Sequence, residues 1–431
     1  MTTPQFTPAP REAPGHTAMA EPAVILDQGH ARLHYAVALA LQDAGILEAA
    51  FCDFYNTEAG FSRLAVGALR RLHPATGQRM ADRRNDRLDP ARVETDRGRT
   101  LLLDAMRVFL KVPAHRHWSR WSRVRSTRIR RRGLHRGNTL HGFVTSLHPP
   151  LVREARERGL LTSGEQIIAP VAEQVREARI QQERFPGAAE EAWEIGRDWL
   201  GEVEAATWPL LGCVTCPSAY VKNALVAAGL EEQRIHVHPY PYQVRAEPAP
   251  ERPRDARPLT VGFLGGVNLR KGAPYFLQVA RRLASDRLRF RMVGPIGLSD
   301  AMVRSHAGCV DFAGGVSRSR VREEMRNFDV FYFPSTCEGS AGVVYEAADA
   351  RLPVVTSPNS GTHLIDGAEA RLCAYDDVDG ACARIEELAG DAGLRAHLGD
   401  AAHAALGRCT VGGYGRFLRG VFEDALASAR G

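Results

Sequence analysis

Two glutamates eight positions apart, Glu338 and Glu346, bracket a run of small residues in the segment Asp329-Val-Phe-Tyr-Phe-Pro-Ser-Thr-Cys-Glu-Gly-Ser-Ala-Gly-Val-Val-Tyr-Glu-Ala347. The pattern predicts a buried strand ending at Pro334-Ser335, a loop, and a helix starting near Ala341 or Gly342. Glu338 then sits on the loop and Glu346 about one turn into the helix. Two carboxylates at different depths of one pocket would flank the backbone N–H groups of Gly339, Ser340, Ala341 and Gly342. Free amides at a helix N-terminus receive phosphate or sugar oxygens, and carboxylates accept strong charge-assisted bonds from sugar or ribose hydroxyls. Spacing alone would leave the pair as ordinary surface residues. The strand–Pro-Ser–loop–helix frame argues for a site.

A second segment reads Val261-Gly-Phe-Leu-Gly-Gly-Val-Asn-Leu-Arg-Lys-Gly272, followed by a helix through Leu283. Gly265 and Gly266 let the backbone approach a ligand closely. Arg270 and Lys271 put two cations on the same loop, and Lys271 can offset charge developing on a leaving phosphate. Lysine is scarce: of 56 basic residues, only Lys111, Lys222 and Lys271 are lysines. The arginine excess reads as compositional bias and makes each compact ammonium worth weighing. The Walker loop and the dinucleotide G-x-G-x-x-G pattern are both missing.

Short apolar strands alternate with helix-like stretches, which argues α/β architecture with parallel sheets. In the first half, strands are expected at Ala23–Leu26, Phe143–Ser146, Gln166–Ala169, Gly212–Cys216 and Arg234–His238, with a helix over His34–Ala44. In the second half they are expected at Leu259–Leu264, Phe290–Val293, Val310–Phe312, Val330–Phe333, Pro353–Thr356 and Arg371–Ala374. The expected organisation is a tail at 1–20, a first domain at 21–244 and a proline-rich linker at 245–258. A second domain follows at 259–408, then a C-terminal helical segment at 409–431. The chain has 431 residues, 44% of them hydrophobic and 25% charged, with a net charge of +6. That composition excludes a disordered or collagen-like chain. No apolar stretch approaches a membrane span, and the N-terminus lacks the features of a secretory signal. Eight cysteines without such a signal point to buried thiols in a reducing cytoplasm. Cys213 and Cys216 are expected to pack in a strand, because no second pair supplies a zinc site.

The Arg-rich segment 115–136 contains Trp118, Trp121, Arg123, Arg130 and Arg131 and has no acidic residue up to Arg132. As a helix it would gather Trp118, Trp121, Val124 and Ile129 on one side. That suits an interfacial helix on anionic lipid, at the inner face of the membrane. A solvated loop and a nucleic-acid contact by counterion release are the competing readings. Nucleic acid is the weakest, since no recognised binding module surrounds the segment.

The two motif segments together resemble the group-one retaining glycosyltransferases with the GT-B fold. Glu338 and Glu346 resemble that family's E-x7-E motif, and Arg351-Leu-Pro-Val-Val355 its following strand. Phe263-Leu-Gly with Lys271-Gly272 resembles its phosphate loop, and Ala313-Gly-Gly-Val316 with Arg320–Phe328 the helix before the motif. Thr215-Cys-Pro-Ser218 with Val221-Lys222, then Arg234–Pro239, resembles the end of the first domain. Gly29-His30 fits the acceptor-side loop. The likeness is close over Gly212–Ala374 and loose over Glu21–Arg184. It implies two Rossmann-like domains with parallel sheets facing a cleft. It also implies transfer of a sugar from a nucleoside-diphosphate sugar to an acceptor hydroxyl, within cell-envelope polysaccharide or glycolipid synthesis. Lys271 would face the diphosphate, Glu338 the donor sugar and Glu346 the ribose, and Gly29 and His30 the acceptor. His30 and His141 stand at strand ends, where the family places an acceptor-site histidine. No cofactor or metal is expected. The sequence departs from the family at Gly266, where an arginine is usual, and Arg270 is the replacement cation we expect. It departs again at Arg351, where the family has glycine, and the sequence offers no reason. The competing functions are a nucleotide-sugar epimerase on the same fold and a non-catalytic membrane- or nucleic-acid-binding scaffold.

Overall fold

The computed structural model describes residues 21–29, 32–57, 60–95, 113–189, 197–244 and 258–428. The expected tail, His30 and the expected linker as far as residue 257 lie outside the described residues. Seven strands form the first sheet: β1 (Val24–Gln28), β2 (Leu47–Cys52), β3 (Val93–Thr95), β4 (Thr139–Phe143), β5 (Leu161–Glu165), β6 (Cys213–Cys216) and β7 (Ile235–Val237). Six form the second: β8 (Leu259–Leu264), β9 (Leu288–Val293), β10 (Val310–Gly314), β11 (Val330–Phe333), β12 (Val354–Thr356) and β13 (Arg371–Leu372). The orders are β3-β2-β1-β4-β5-β6-β7 and β10-β9-β8-β11-β12-β13, and the named pairs are parallel. Both sheets therefore reverse direction at their first strand, between β1 and β4 and between β8 and β11. A crevice opens beyond the strand ends at such a switch point. The loop after β1 carries Gly29, and the loop after β8 carries Gly265.

Buried aliphatic and aromatic runs explain the strands. Val330-Phe-Tyr-Phe333 is buried throughout, as parallel strands covered on both faces require. Phe263 packs on Phe276 and Phe333, which ties β8 to the helix Ala273–Leu283 and to β11. The C-terminal helix Val411–Ser428 returns to the first domain and lies against the helix Ala36–Asp43. Tyr414, Leu418 and Phe422 are fully buried there. A Cβ at Gly415 would stand 2.3 Å from the Ala40 carbonyl oxygen, so glycine permits the close crossing. Glu165 fastens this helix from beneath: its Oε2 accepts from the Tyr414 hydroxyl at 2.5 Å and from Thr215 at 2.8 Å.

Several expectations shift. Gln166–Ala169 is the loop after β5 rather than a strand, and β4 ends at Phe143 where a strand was expected to begin. Strands β2, β3 and β5 are not among those expected. The Arg-rich segment forms a helix, Ala114–Arg132, whose apolar side faces the protein. Trp121 is buried under the Arg125 guanidinium, 4.3 Å away. The Trp118 indole donates to the Thr145 carbonyl at 2.9 Å and meets Trp199 at 5.8 Å. Ile129 is fully buried. Insertion of Trp118 and Trp121 into lipid is thereby corrected: tertiary packing has taken the face that the pattern offered to a membrane. Arg130 pairs with Glu154 at 2.5 Å, whereas Arg123 and Arg131 are exposed. No helix among the described residues is long and apolar enough to cross a membrane.

Candidate active site

At the carboxyl end of β11 the chain turns at Pro334 and descends into a buried loop. Glu338 is only 8% exposed. Its Oε1 meets the Lys271 ammonium in a short ion pair and Arg270 Nη1 at 3.0 Å, and it accepts from the Ser335 hydroxyl at 3.2 Å. Arg270 Nη1 also donates to the Cys337 carbonyl at 3.1 Å. Burial alone would raise the Glu338 carboxyl, but Lys271 and Arg270 outweigh it and hold the group below the ordinary carboxylate range. Burial lowers the Lys271 ammonium, Glu338 draws it up and Arg270 pushes it down again, leaving it below the usual lysine value.

The glycines after β8 act as expected of a close-packed turn. Gly265 has φ 137°, and a Cβ at Gly294 would lie 1.7 Å from the Gly265 carbonyl oxygen. Gly272 takes a left-handed φ of 72° to open its helix, with the Pro334 carbonyl 1.8 Å from where a Cβ would be. The loop bearing Gly265, Gly266, Arg270 and Lys271 is thus pressed against the loop bearing Glu338. Asn268 Oδ1 accepts from the Lys271 backbone N–H at 3.0 Å and fixes the position from which Lys271 reaches.

Glu346 stands in the helix Gly342–Asp349. With Ser340 and Gly342 it lines a cavity of about 750 Å³ whose other wall includes Leu33, His34 and Arg87 of the first domain. The loop amides are not all open, contrary to expectation. Glu338 N–H donates to the Asn359 carbonyl at 2.9 Å and Ala341 N–H to the Ser360 carbonyl at 2.9 Å. The amides of Gly342 and Val343 open the helix, where no intrahelical carbonyl can reach them. Gly339 fills a different role: its carbonyl accepts from the Ser218 hydroxyl at 2.7 Å, and a Cβ on it would strike the Ile167 carbonyl oxygen at 1.7 Å.

Arg351 now has a reason. It is the left-handed residue, φ 52°, that closes the Glu346 helix. Leu352 N–H returns to the Ala347 carbonyl at 3.0 Å and Arg351 N–H to Ala348 at 3.0 Å, a Schellman closure that ordinarily takes glycine. Its guanidinium pairs with Asp400 at 2.6 Å.

The first-domain candidates fare unequally. Gly29 lies at the switch point, with Ser146 Oγ 2.6 Å from where its Cβ would be. His141 is corrected: it is fully buried in β4, 3.1 Å from Ser163 Oγ and with its ring tilted against Phe422 at 5.4 Å. The C-terminal helix covers it, so it reaches no acceptor. Cys213 and Cys216 are buried thiols, pushed up to about 11 and about 12 by burial. Among the described residues no group of three His, Cys, Asp or Glu could hold a metal ion. Ser335, Ser218 and His34 were missed, although a signal was present for two of them. Each sheet has a strand that ends in Pro-Ser, at Pro217-Ser218 after β6 and Pro334-Ser335 after β11.

Residues 258–391 match the family model described as Glycosyl transferases group 1. Over 195 residues the chain is 26% identical to EpsF of Bacillus subtilis (strain 168), a glycosyltransferase by name. That match covers 41% of this chain and 50% of EpsF, so it spans about half the length of the curated relative. Sucrose-phosphate synthase from Thermosynechococcus elongatus superposes with a TM-score of 0.64 at 13% identity, over 94% of this chain and 100% of that one. The lipopolysaccharide outer core galactosyltransferase WaaB gives 0.56 at 14%, over 92% and 98%. Anabaena HepE in complex with UDP-glucose gives 0.53 at 14%, over 94% and 98%. At such identities the shared property is the fold, two facing parallel-sheet domains of the GT-B type.

Proposed function

We propose that this chain, which has the GT-B fold and matches the Glycosyl transferases group 1 model over residues 258–391, is a member of that family that moves a sugar from a nucleoside-diphosphate sugar to an acceptor hydroxyl with retention. The observation that carries this reading is Glu338, buried at the strand end between Lys271 and Arg270. Two cations around one carboxylate leave excess positive charge at the switch-point crevice, which suits a diphosphate. The UDP-glucose bound in HepE and the galactosyltransferase WaaB, named for the lipopolysaccharide outer core, support the donor class and an envelope setting.

In this reading Lys271, shared between Glu338 and the diphosphate, offsets the charge that develops on the leaving phosphate. Arg270 takes the place of the arginine that Gly266 lacks. Glu346 accepts from the ribose hydroxyls at the cavity wall, and the amides of Gly342 and Val343 with their helix dipole face the phosphate. Glu338 orients the donor sugar. The acceptor oxygen forms its bond to the anomeric carbon on the face from which the phosphate oxygen departs, and that phosphate oxygen takes the acceptor proton. No metal is required for charge balance, because side-chain cations supply it. The acceptor enters on the Gly29 side, and a sugar or lipid-linked acceptor fits an enzyme whose exposed Arg123 and Arg131 can approach an anionic surface. Thermal-shift screening against uridine and guanosine diphosphates tests the donor class: one of them should raise Tm. Incubation with donor alone, followed by sugar analysis, separates transfer from epimerisation, since only an epimerase converts the sugar without an acceptor.

A further inference from the structure

Glu204, in the helix Asp198–Thr207, is 1% exposed and far in sequence from every residue of the donor site. Its Oε2 accepts from the Val171 backbone N–H at 2.7 Å and its Oε1 from the Gln166 side-chain amide at 2.9 Å. Those two bonds clasp both ends of the segment between β5 and the helix Val171–Arg184. Inside the clasp, Gln166 Nε2 also donates to the Ile168 carbonyl at 3.0 Å and Gln174 Nε2 to the Ala169 carbonyl at 2.7 Å. The Ile167 carbonyl points across the domain boundary at Gly339, where a residue with a Cβ could not be approached so closely. On the other side of Gly339, Ser218 Oγ holds its carbonyl, and Gly361 with φ 65° leaves room for it. Glu338 is the residue immediately before Gly339 in the chain.

We propose that Glu204 and Ser218 are positioning residues, through which the first domain sets the placement of the loop Glu338–Gly342. In the site proposed above, neither is assigned a contact with the donor. Each fixes a first-domain atom against Gly339, one through the Gln166–Val171 segment and one directly. The inference rests on reading that loop as part of the donor site. It adds that the first domain shapes the donor carboxylates, so that donor affinity depends on contacts made across the cleft.

The chemistry of Glu204 gives the coupling a signature. Its carboxyl is pushed up to about 7 by burial, with the Val171 N–H, the Gln166 amide and Arg197 pulling it back. Arg197, at the start of the same helix, is the charge acting on it, and the groups contacting it from the other elements are neutral N–H donors. The ionised form accepts at both oxygens, whereas protonation turns one of them into a donor facing a donor. Glutamine at this position mimics that loss at every pH.

Hydrogen–deuterium exchange of the ligand-free full chain tests the coupling without a donor. In both Glu204→Gln and Ser218→Ala, peptides covering 338–344 should exchange about tenfold faster, while peptides from β9 and β10 stay unchanged. Unchanged exchange at 338–344 in both variants overturns the proposal, and Ser218→Ala carries the test should Glu204→Gln fail to fold. With a donor in hand, Glu204→Gln should raise donor KM about fivefold with kcat within about twofold. It should also abolish the rise in donor KM expected of the native protein as pH falls through about 7. A native KM and pH profile in Glu204→Gln overturns the proposal. Altered exchange in a protein that transfers no sugar supports the coupling and counts against the function proposed above.

Discussion

Glu338 and Glu204 flank the same glycine contact, one on each domain, and both are buried, yet they titrate in opposite directions. Burial raises each carboxyl. At Glu338, Lys271 and Arg270 reverse the effect and the group stays anionic. At Glu204, neutral amides and one arginine only moderate it, and the group comes to rest at about 7. Position in a core therefore does not set the charge of a carboxylate; its partners do. The second domain's side holds a fixed charge between two cations. The first domain's side is built mainly from dipoles, and in the coupling proposed above its grip answers to pH.

The sharpest way to break the contrast is to remove a cation. Lys271→Ala should lower kcat/KM for transfer by about 10²-fold or more, the scale for loss of a group opposing transition-state charge. Arg270→Ala should cost about tenfold, because Lys271 remains. Steady-state assays with the folded variants check both, and an Arg270→Ala enzyme of native activity would end its role as the substitute cation. Removing the anion instead should be seen in stability. Glu338→Gln leaves two cations without their shared partner and should cost about 3 kcal/mol in denaturant unfolding.

The pH dependence of stability should separate the two groups by sign. Glu338 is lowered, so its contribution is complete above the ordinary carboxylate value of 4.5 and is lost as pH falls through the lower folded value. Glu204 is raised, so its contribution is complete below 4.5 and is lost as pH rises to about 7, a swing of about 3 kcal/mol. Unfolding curves between pH 5 and 8 should therefore lose that slope in Glu204→Gln and keep it in Glu338→Gln. The smallest effect is expected at the end of the Glu346 helix. Arg351→Gly relieves a left-handed arginine but loosens the unfolded chain and gives up an exposed ion pair. It should raise stability by about 0.5 kcal/mol, readable as a small rise in Tm.

Much of the second domain could be read from the sequence, because its local signals agree with its global packing. Val330–Phe333 is an uninterrupted apolar run closed by Pro-Ser, and Gly272-Ala-Pro274 opens a helix at its first turn. The family resemblance places Glu338 and Lys271 in one pocket, and the structure adds that their loops follow adjacent strands and that the two side chains pair. The first domain hid more. Leu47-Glu-Ala-Ala-Phe-Cys52 has too little β-branched character to announce β2, and Leu161-Thr-Ser-Gly-Glu165 looks polar although it is a central strand. The apolar Ile167-Ile168 beside it looked like the strand because its real use, contact with Gly339, joins residues far apart in sequence. His141 and the Arg-rich helix show the same limit. Periodicity identifies a buried face but not what buries it, and here Phe422 and the first-domain core do so. Arg351 could be understood only once its φ was known.

The most direct test of the charged pocket is calorimetric titration with nucleoside diphosphates of the native chain and of Lys271→Ala. One diphosphate should bind the native protein and lose at least about 30-fold in affinity on loss of the ammonium, about 2 kcal/mol. A Lys271→Ala protein that binds that diphosphate as tightly as the native chain would contradict a donor site built around Lys271 and Glu338.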